Sequence, residues 1–366
     1  MTSTRVPVGP PEAPLYTVEI APGLTSRLDE ALDAHGLGGR RLLASTPPVW
    51  RLVRPLLPGS LRTTEPILLP DGERSKHLQT VSRVYDALIR AGADRTTTLV
   101  AIGGGVLGDT AGFAAATFLR GIPLVHVPTT LLAQVDSAIG GKVGVNHLLG
   151  KNLIGAFYPP RAVLTDPELL EALPRREFRA GLYEVVKYAV IASADLFGEI
   201  ETQLSPIFAR DPKALVPVIA ACCRIKARVV TADEREAGER RILNFGHTTG
   251  HALEALTRYR RFRHGEAVAY GMLTATRLAV ARGAMPRADA DALVRLIAQL
   301  GPLPPVADLS PEQAVDVMRR DKKVLAGKLH FVLPREIGAV TVVDDVTEDE
   351  LLDALRATGL RAVGGE

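Results

Sequence analysis

The chain has 366 residues, 46% of them hydrophobic and 23% charged, with 44 Lys and Arg against 41 Asp and Glu. That length exceeds what one core usually serves, so two domains are expected. A net charge of +3, dispersed along the chain, is too mild to imply a nucleic-acid partner. The longest apolar run, near residues 111–119, is too short to span a bilayer, and the amino end lacks an apolar signal core. The expected compartment is the cytoplasm, with no membrane or nucleic-acid partner.

In chain order, the first dozen residues read as loose. Short β-branched or Leu-rich runs at 16–20, 41–44, 66–69, 97–102, 123–127 and 162–165 then read as strands. Amphipathic stretches at 73–91 and 108–120 read as helices between them. This alternation predicts an α/β domain with a mostly parallel sheet over residues 1–166. A glycine-rich segment at 142–160 interrupts it, and an irregular segment of that length is usually functional. From 167 to 366 the periodicity is mainly α-helical, as at 214–230 and 288–300, with a hairpin expected from 328–333 and 339–343. Cys222 and Cys223 are adjacent in a helical pattern that would strain a mutual disulfide, so both are expected as buried small side chains.

Gly103, Gly105 and Gly108 form G-x-G-x-x-G after a strand and before a helix, where backbone N–H groups can receive a pyrophosphate. The strand is not the chain's first and no acid stands near position 128, so a tight strand-to-helix turn is the competing reading. Asp109 can cap that helix or orient a ribose or amide. Thr129 and Thr130 close the next strand, where ligands of α/β sheets bind. Asp71, Glu73 and Lys76 open a helix with charges suited to a ribose and a phosphate. Each could serve only as a cap; their recurrence at the carboxyl ends of successive strands favours a nucleotide.

His247 and His251 are spaced i,i+4 and share a helix face. With His264 and Glu184 they supply the ligand types a zinc-like ion requires, in a chain with eight histidines. Spacing leaves open which three of the four bind. Lys142, Lys151, Lys187, Lys226, Arg240 and Lys322 lie in or beside these segments, which suggests a pocket for a substrate with several negative charges.

These segments closely resemble the 3-dehydroquinate synthase family of the sugar phosphate cyclases. The resemblance runs from about residue 73 to 338 and follows the family order: GGGVLGD at 103–109, FLRG at 118–121, VPTTLL at 127–132, VDSAIGGK at 135–142 and GKNLIGAF at 150–157. EVVK at 184–187, DERE at 233–236, LNFGH at 243–247, HGE at 264–266 and DKK at 321–323 continue it. The resemblance implies a Rossmann-like NAD-binding domain followed by a helical metal- and substrate-binding domain. It implies Glu184, His247 and His264 as ligands of a zinc or cobalt ion, with His251 handling substrate or protons. Lys187, Asp136 and Asn244 join His251 as catalytic residues, and Lys142, Asn152, Lys226, Arg240 and Lys322 bind substrate. Arg120 would reach the phosphate site of a neighbouring subunit in a homodimer. The nucleotide set comprises Asp71, Glu73, Lys76, Gly103, Gly104, Gly105, Val106 and Asp109, then Thr129, Thr130, Leu132, Lys142, Lys151 and Thr165. Three departures stand out: Val-Gly after Lys142 where many members read Thr-Ala, Tyr183 before the metal glutamate, and Ala44-Ser-Thr46 where an acid or amide often meets the ribose.

The implied activity converts 3-deoxy-D-arabino-heptulosonate 7-phosphate to 3-dehydroquinate and phosphate. NAD is reduced and reoxidised within each turnover, phosphate is eliminated, and an intramolecular aldol step closes the ring. A sister cyclase of the amino-dehydroquinate, deoxyinosose or valiolone type is the nearest alternative. An NAD- and metal-dependent polyol phosphate dehydrogenase would share the plan but release NADH. A non-catalytic NAD-binding protein would have no use for the ligands and cations.

Overall fold

The computed structural model describes residues 3–234, 238–320 and 329–361. Its compact units are Met1–Pro174 with Ser205–Arg235, and Arg175–Leu204 with Glu236–Glu366. One cut near Asp166 therefore does not describe the chain. The helix Pro212–Ala232 returns to the first unit, where it packs on strands β1 (Thr4–Val8) and β2 (Tyr16–Ile20).

The remaining strands of the first unit are β3 (Arg41–Ser45), β4 (Ile67–Leu68), β5 (Thr98–Gly103), β6 (Leu124–Pro128), β7 (Lys142–His147), β8 (Gly150–Phe157) and β9 (Ala162–Thr165). Seven of the nine strands form a sheet of order β1-β2-β9-β6-β5-β3-β4, parallel except for the β1–β2 pair. β5 is buried along its whole length, as a central strand covered on both faces must be. Val100 and Ile102 pack with Leu28, Leu32 and Trp50 on one face, whereas Leu99 and Ala101 pack with Leu107, Ala111 and Val84 on the other.

Three expectations change. The amino end is not loose: Val6 and Val8 are buried and β1 pairs in register with β2. The segment 142–160 is not irregular but an antiparallel hairpin, β7–β8. Gly144 and Gly155 face each other there, and a Cβ on Gly144 would stand 2.6 Å from the Ile154 carbonyl oxygen. The stretch 73–91 is a 3-10 turn, Glu73–Ser75, followed by a helix, Leu78–Arg90. The Ser75 hydroxyl closes that turn by donating to the carbonyls of Gly72 at 2.6 Å and Pro70 at 2.8 Å.

The second unit is built from helices, chiefly Arg175–Ala192, His247–Leu256, His264–Ala281 and Arg287–Leu300, with a hairpin of β10 (Phe331–Glu336) and β11 (Ala339–Val343). Lys328, expected in that hairpin, lies outside the described residues. Cys222 and Cys223 are both buried, as expected. No helix among the described residues is long and apolar enough to cross a membrane.

Candidate active site

In the first unit, β5 runs into the helix Gly105–Thr117 through Gly103 and Gly104, so the helix begins three residues earlier than the periodicity suggests. The amino end of this helix has no side-chain cap, which leaves its first N–H groups available to an anion. A small cleft there is lined by Gly103, Gly104, Gly105, His126, Pro128 and Ser137. A Cβ on Gly104 would stand 3.1 Å from Thr130 Cγ2, and one on Gly105 would stand 2.8 Å from Ser137 Oγ. The Ser137 hydroxyl is buried without a hydrogen-bond partner. Sequence reasoning missed Ser137; its place beside Asp136 in the 135–142 segment was the available signal. His126 is buried, and burial pushes its pKa down to about 4, so the imidazole is neutral at pH 7.

Thr129 donates its backbone N–H to the Gly103 carbonyl at 3.0 Å, fixing the ends of β5 and β6 together. The Thr130 hydroxyl accepts from the Ala133 N–H at 3.2 Å, so in this structure it acts as a cap. Thr165 is fully buried at the end of β9, and its hydroxyl has no hydrogen-bond partner. Val106 and Leu132 are half-buried, whereas Asp71, Lys142 and Arg120 are exposed. Arg120 and Leu119 both adopt left-handed backbone, φ 65° and 48°, in the turn that ends the helix.

Lys76 is the hub of a polar group in the first unit. Its ammonium contacts Asp109 Oδ2 at 2.5 Å and donates to Asn152 Oδ1 at 2.6 Å. Desolvation pushes the Asp109 carboxyl above its ordinary value, against the lowering pull of Lys76. Asn146 Nδ2 donates to Glu73 at 2.8 Å, and Lys151 Nζ lies 3.9 Å from the same carboxylate oxygen. Glu73, Lys76, Asp109, Lys151 and Asn152 are thus brought together by the 71–76 turn, the glycine-led helix and the β7–β8 hairpin.

Asp136 belongs to a π-helical turn, Ala133–Ser137. The buried Gln134 side chain anchors it by donating to the carbonyls of Pro128 at 3.1 Å and Asp166 at 2.9 Å. Lys226 donates to the Asp136 carbonyl at 2.7 Å and its carboxylate at 2.5 Å, while Cys223, one turn earlier, reaches the Gln134 carbonyl at 3.4 Å. Burial pushes the Cys223 thiol up to about 12, which makes it an inert packing group.

In the second unit, three helices meet at the histidines. Gly265 permits this: a Cβ there would fall inside van der Waals contact with the Ala180 carbonyl of the helix Arg175–Ala192. Gly271 likewise lies against the Gly246 carbonyl, which draws the helix His264–Ala281 onto the helix His247–Leu256. One ring nitrogen from each of His247, His251 and His264 lies within 4.8 Å of the others. Glu184 is fully buried, and its Oε1 is 3.9 Å from His247 Nε2 and 3.5 Å from His264 Nε2. Its Oε2 is 2.6 Å from the buried Lys187 ammonium, close enough for an ion pair but not aligned as a hydrogen bond, and neither carboxylate oxygen has a hydrogen-bond partner among the described residues. His247 Nδ1 is 3.1 Å from the Phe245 carbonyl, which can only accept. The hydrogen therefore sits on Nδ1, and the Nε2 lone pair faces Glu184.

Glu266, grouped with His264 in sequence, has a structural role. It takes two 2.7 Å bonds from Arg176 and accepts the Arg263 N–H at 2.8 Å, capping the helix. Arg240, buried, and Asn244 lie on the 3-10 segment Glu239–Asn244, which packs on the helix Arg175–Ala192 and on β10 and β11. Lys322 and the rest of the 321–323 segment lie outside the described residues. A buried carboxylate that sequence reasoning missed, Glu254, stands 3.5 Å from His264 Nδ1. Its signal was the two-turn spacing from His247.

The sequence profiles of the 3-dehydroquinate synthase N-terminal and C-terminal domains match residues 66–180 and 181–324. A 3-dehydroquinate synthase of Nostoc punctiforme is 47% identical over 350 residues, covering 93% of this chain and 96% of the relative. Among solved structures, 2-epi-5-epi-valiolone synthase of Streptomyces hygroscopicus, with NAD+ and Zn2+ bound, superposes with a TM-score of 0.85 at 30% identity, covering 94% of this chain and 96% of that one. A 2-deoxy-scyllo-inosose synthase complexed with carbaglucose-6-phosphate, NAD+ and Co2+ also gives 0.85, at 28% identity over 97% of this chain and 100% of its own. With both halves matched and a near-full-length relative at that identity, the chain belongs to the 3-dehydroquinate synthase family.

Proposed function

We propose that the chain converts 3-deoxy-D-arabino-heptulosonate 7-phosphate to 3-dehydroquinate and phosphate, as a lyase of the shikimate pathway that uses NAD and a divalent ion, zinc or cobalt. The observation that carries this reading is the convergence of Glu184, His247 and His264 in the second unit of a chain of this family. A buried carboxylate without hydrogen-bond donors is costly, and Glu184 facing imidazole lone pairs is a donor set suited to a cation. We assign these three as the ligands, because the Nε2 atoms of His247 and His264 are those that face Glu184. His251 is left for substrate or proton handling.

When bound, the nucleotide supplies a reversible hydride acceptor and the ion a Lewis acid for the oxygen of the carbon being oxidised. Gly103 to Gly105 admit a pyrophosphate to the uncapped helix terminus, and Thr129, Asp109, Lys76 and the other residues of the family set hold the nucleotide. Lys187, buried against Glu184, lies beside the ligand cluster as a catalytic residue on the family pattern. Arg240 offers a planar fork for the substrate carboxylate, and Asp136, Lys142, Asn152, Lys226, Asn244 and Lys322 complete the substrate set on the family pattern. A homodimer, with Arg120 reaching the second copy's phosphate, and a cytoplasmic location belong to the same proposal. The sequence relative at 47% identity is a dehydroquinate synthase, whereas the sister cyclases share 30% and 28%, which favours the carboxylated substrate.

Metal-depleted protein tests the proposal. With NAD and either Zn2+ or Co2+ restored, it should release phosphate from the heptulosonate phosphate and form dehydroquinate without net NADH. Chelator should stop the reaction. Accumulation of NADH in step with substrate loss would make the chain a dehydrogenase, and unchanged turnover in chelator would remove the metal.

A further inference from the structure

We infer that Glu254 is a positioning residue of the metal centre, its carboxylate holding the His264 ring so that Nε2 faces Glu184. The inference rests on the proposed reading of Glu184, His247 and His264 as ligands. Glu254 is 5% exposed, and burying a carboxylate far from any partner is costly. Its Oε2 lies 3.5 Å from His264 Nδ1, while the other ring nitrogen, Nε2, lies 3.5 Å from Glu184 Oε1. Either carboxylate could take a ring N–H, but a ligating Nε2 turns its lone pair to the ion, so on that reading Nδ1 carries the hydrogen and Glu254 accepts it. The Phe245 carbonyl sets the same tautomer in His247. Both rings are thereby fixed with the same nitrogen toward Glu184, one by a backbone carbonyl and the other by a side chain.

The chain between the two helices brings the pair together. The helix His247–Leu256 ends two residues after Glu254. Arg258 and Tyr259 then take left-handed backbone, φ 52° and 57°, and the Tyr259 N–H donates to the Glu254 carbonyl at 2.7 Å. Left-handed backbone is disfavoured for a non-glycine residue, and such strain persists where the surroundings demand it. Here it reverses the chain so that His264 opens the next helix beside Glu254.

The test titrates the full-length, metal-depleted protein with Co2+ against a chelating indicator and records the visible Co2+ spectrum. Glu254→Gln keeps the shape and removes the charge; Glu254→Asp keeps the charge on a shorter arm. Loss of an outer partner of a ligating histidine typically weakens metal binding by about 10–100-fold. We expect a loss in that range for Glu254→Gln, a shifted Co2+ spectrum, a smaller loss for Glu254→Asp, and native NAD affinity in both. A change of less than about fivefold in Glu254→Gln, below the range for an outer partner, overturns the inference. So does a parallel fall in NAD affinity, which would mark a general packing role. Native protein that fails to bind Co2+, or His264→Ala that binds it as tightly as native protein, would instead overturn the metal reading itself.

Discussion

Glu184 and His126 show how differently two buried polar side chains can be used. Glu184 faces two imidazoles and an ammonium, whereas His126 is buried beside the glycine-led helix and held neutral, its pKa pushed by burial from 6.5 to about 4. The consequence for His126 is acid lability. Above pH 6.5 neither the folded nor the unfolded state binds its proton; between 6.5 and about 4 only the unfolded state does. Stability should therefore fall as pH drops through that window, by an amount on the order of 3 kcal/mol at its foot. Urea unfolding at pH 7, 5.5 and 4.5 measures this. His126→Gln should have a shallower slope, and an identical slope would show that other groups cause it. The metal-type residues were legible from sequence because few side chains can ligate a divalent ion. Ser137 and Glu254 were not, because a serine near a turn and a glutamate in a helix read as ordinary surface until packing shows the one's hydroxyl and the other's carboxylate buried. Thr130, read as a nucleotide contact, accepts the Ala133 N–H on its hydroxyl oxygen, a local bond that spacing cannot reveal and that leaves its O–H to donate.

At the scale of elements, strands β2, β3, β5, β6 and β9 were legible from their apolar runs, because parallel strands buried on both faces need little else. The β7–β8 hairpin was not, since its pairing depends on Gly144 meeting Gly155 across the strands, and glycine in sequence reads equally well as loop. Tyr183 is fully buried and donates its hydroxyl to the Gly301 carbonyl at 3.3 Å. Glycine also sets the helix contacts behind the histidines. Gly265→Ala would drive a methyl group into the Ala180 carbonyl, and overpacking of this kind costs about 1–3 kcal/mol or more. We expect a lower melting temperature together with weaker Co2+ binding, because the helix Arg175–Ala192 carries Glu184. Native melting and native Co2+ affinity in this variant would mean that the two helices tolerate separation.

At the scale of the whole molecule, composition and the change of periodicity near residue 167 gave two domains of the right kinds. They could not show that the helix Pro212–Ala232 belongs to the first, because an amphipathic helix does not encode which unit receives its apolar face. Lys226 depends on this placement, since the same helix brings it to Asp136. The central claim is that the chain acts on a carboxylated sugar phosphate. Charge-assisted hydrogen bonds to a carboxylate contribute roughly 1.5–3 kcal/mol each, and about 1.4 kcal/mol is a factor of ten. The most direct test compares kcat/KM for the heptulosonate 7-phosphate with that for a heptulose 7-phosphate lacking the carboxylate. With NAD and Co2+ present, the account predicts a preference of at least about a hundredfold for the carboxylated substrate, from two such contacts. Equal values, or faster turnover of the carboxylate-free sugar, would contradict it and assign the chain the chemistry of a sister cyclase.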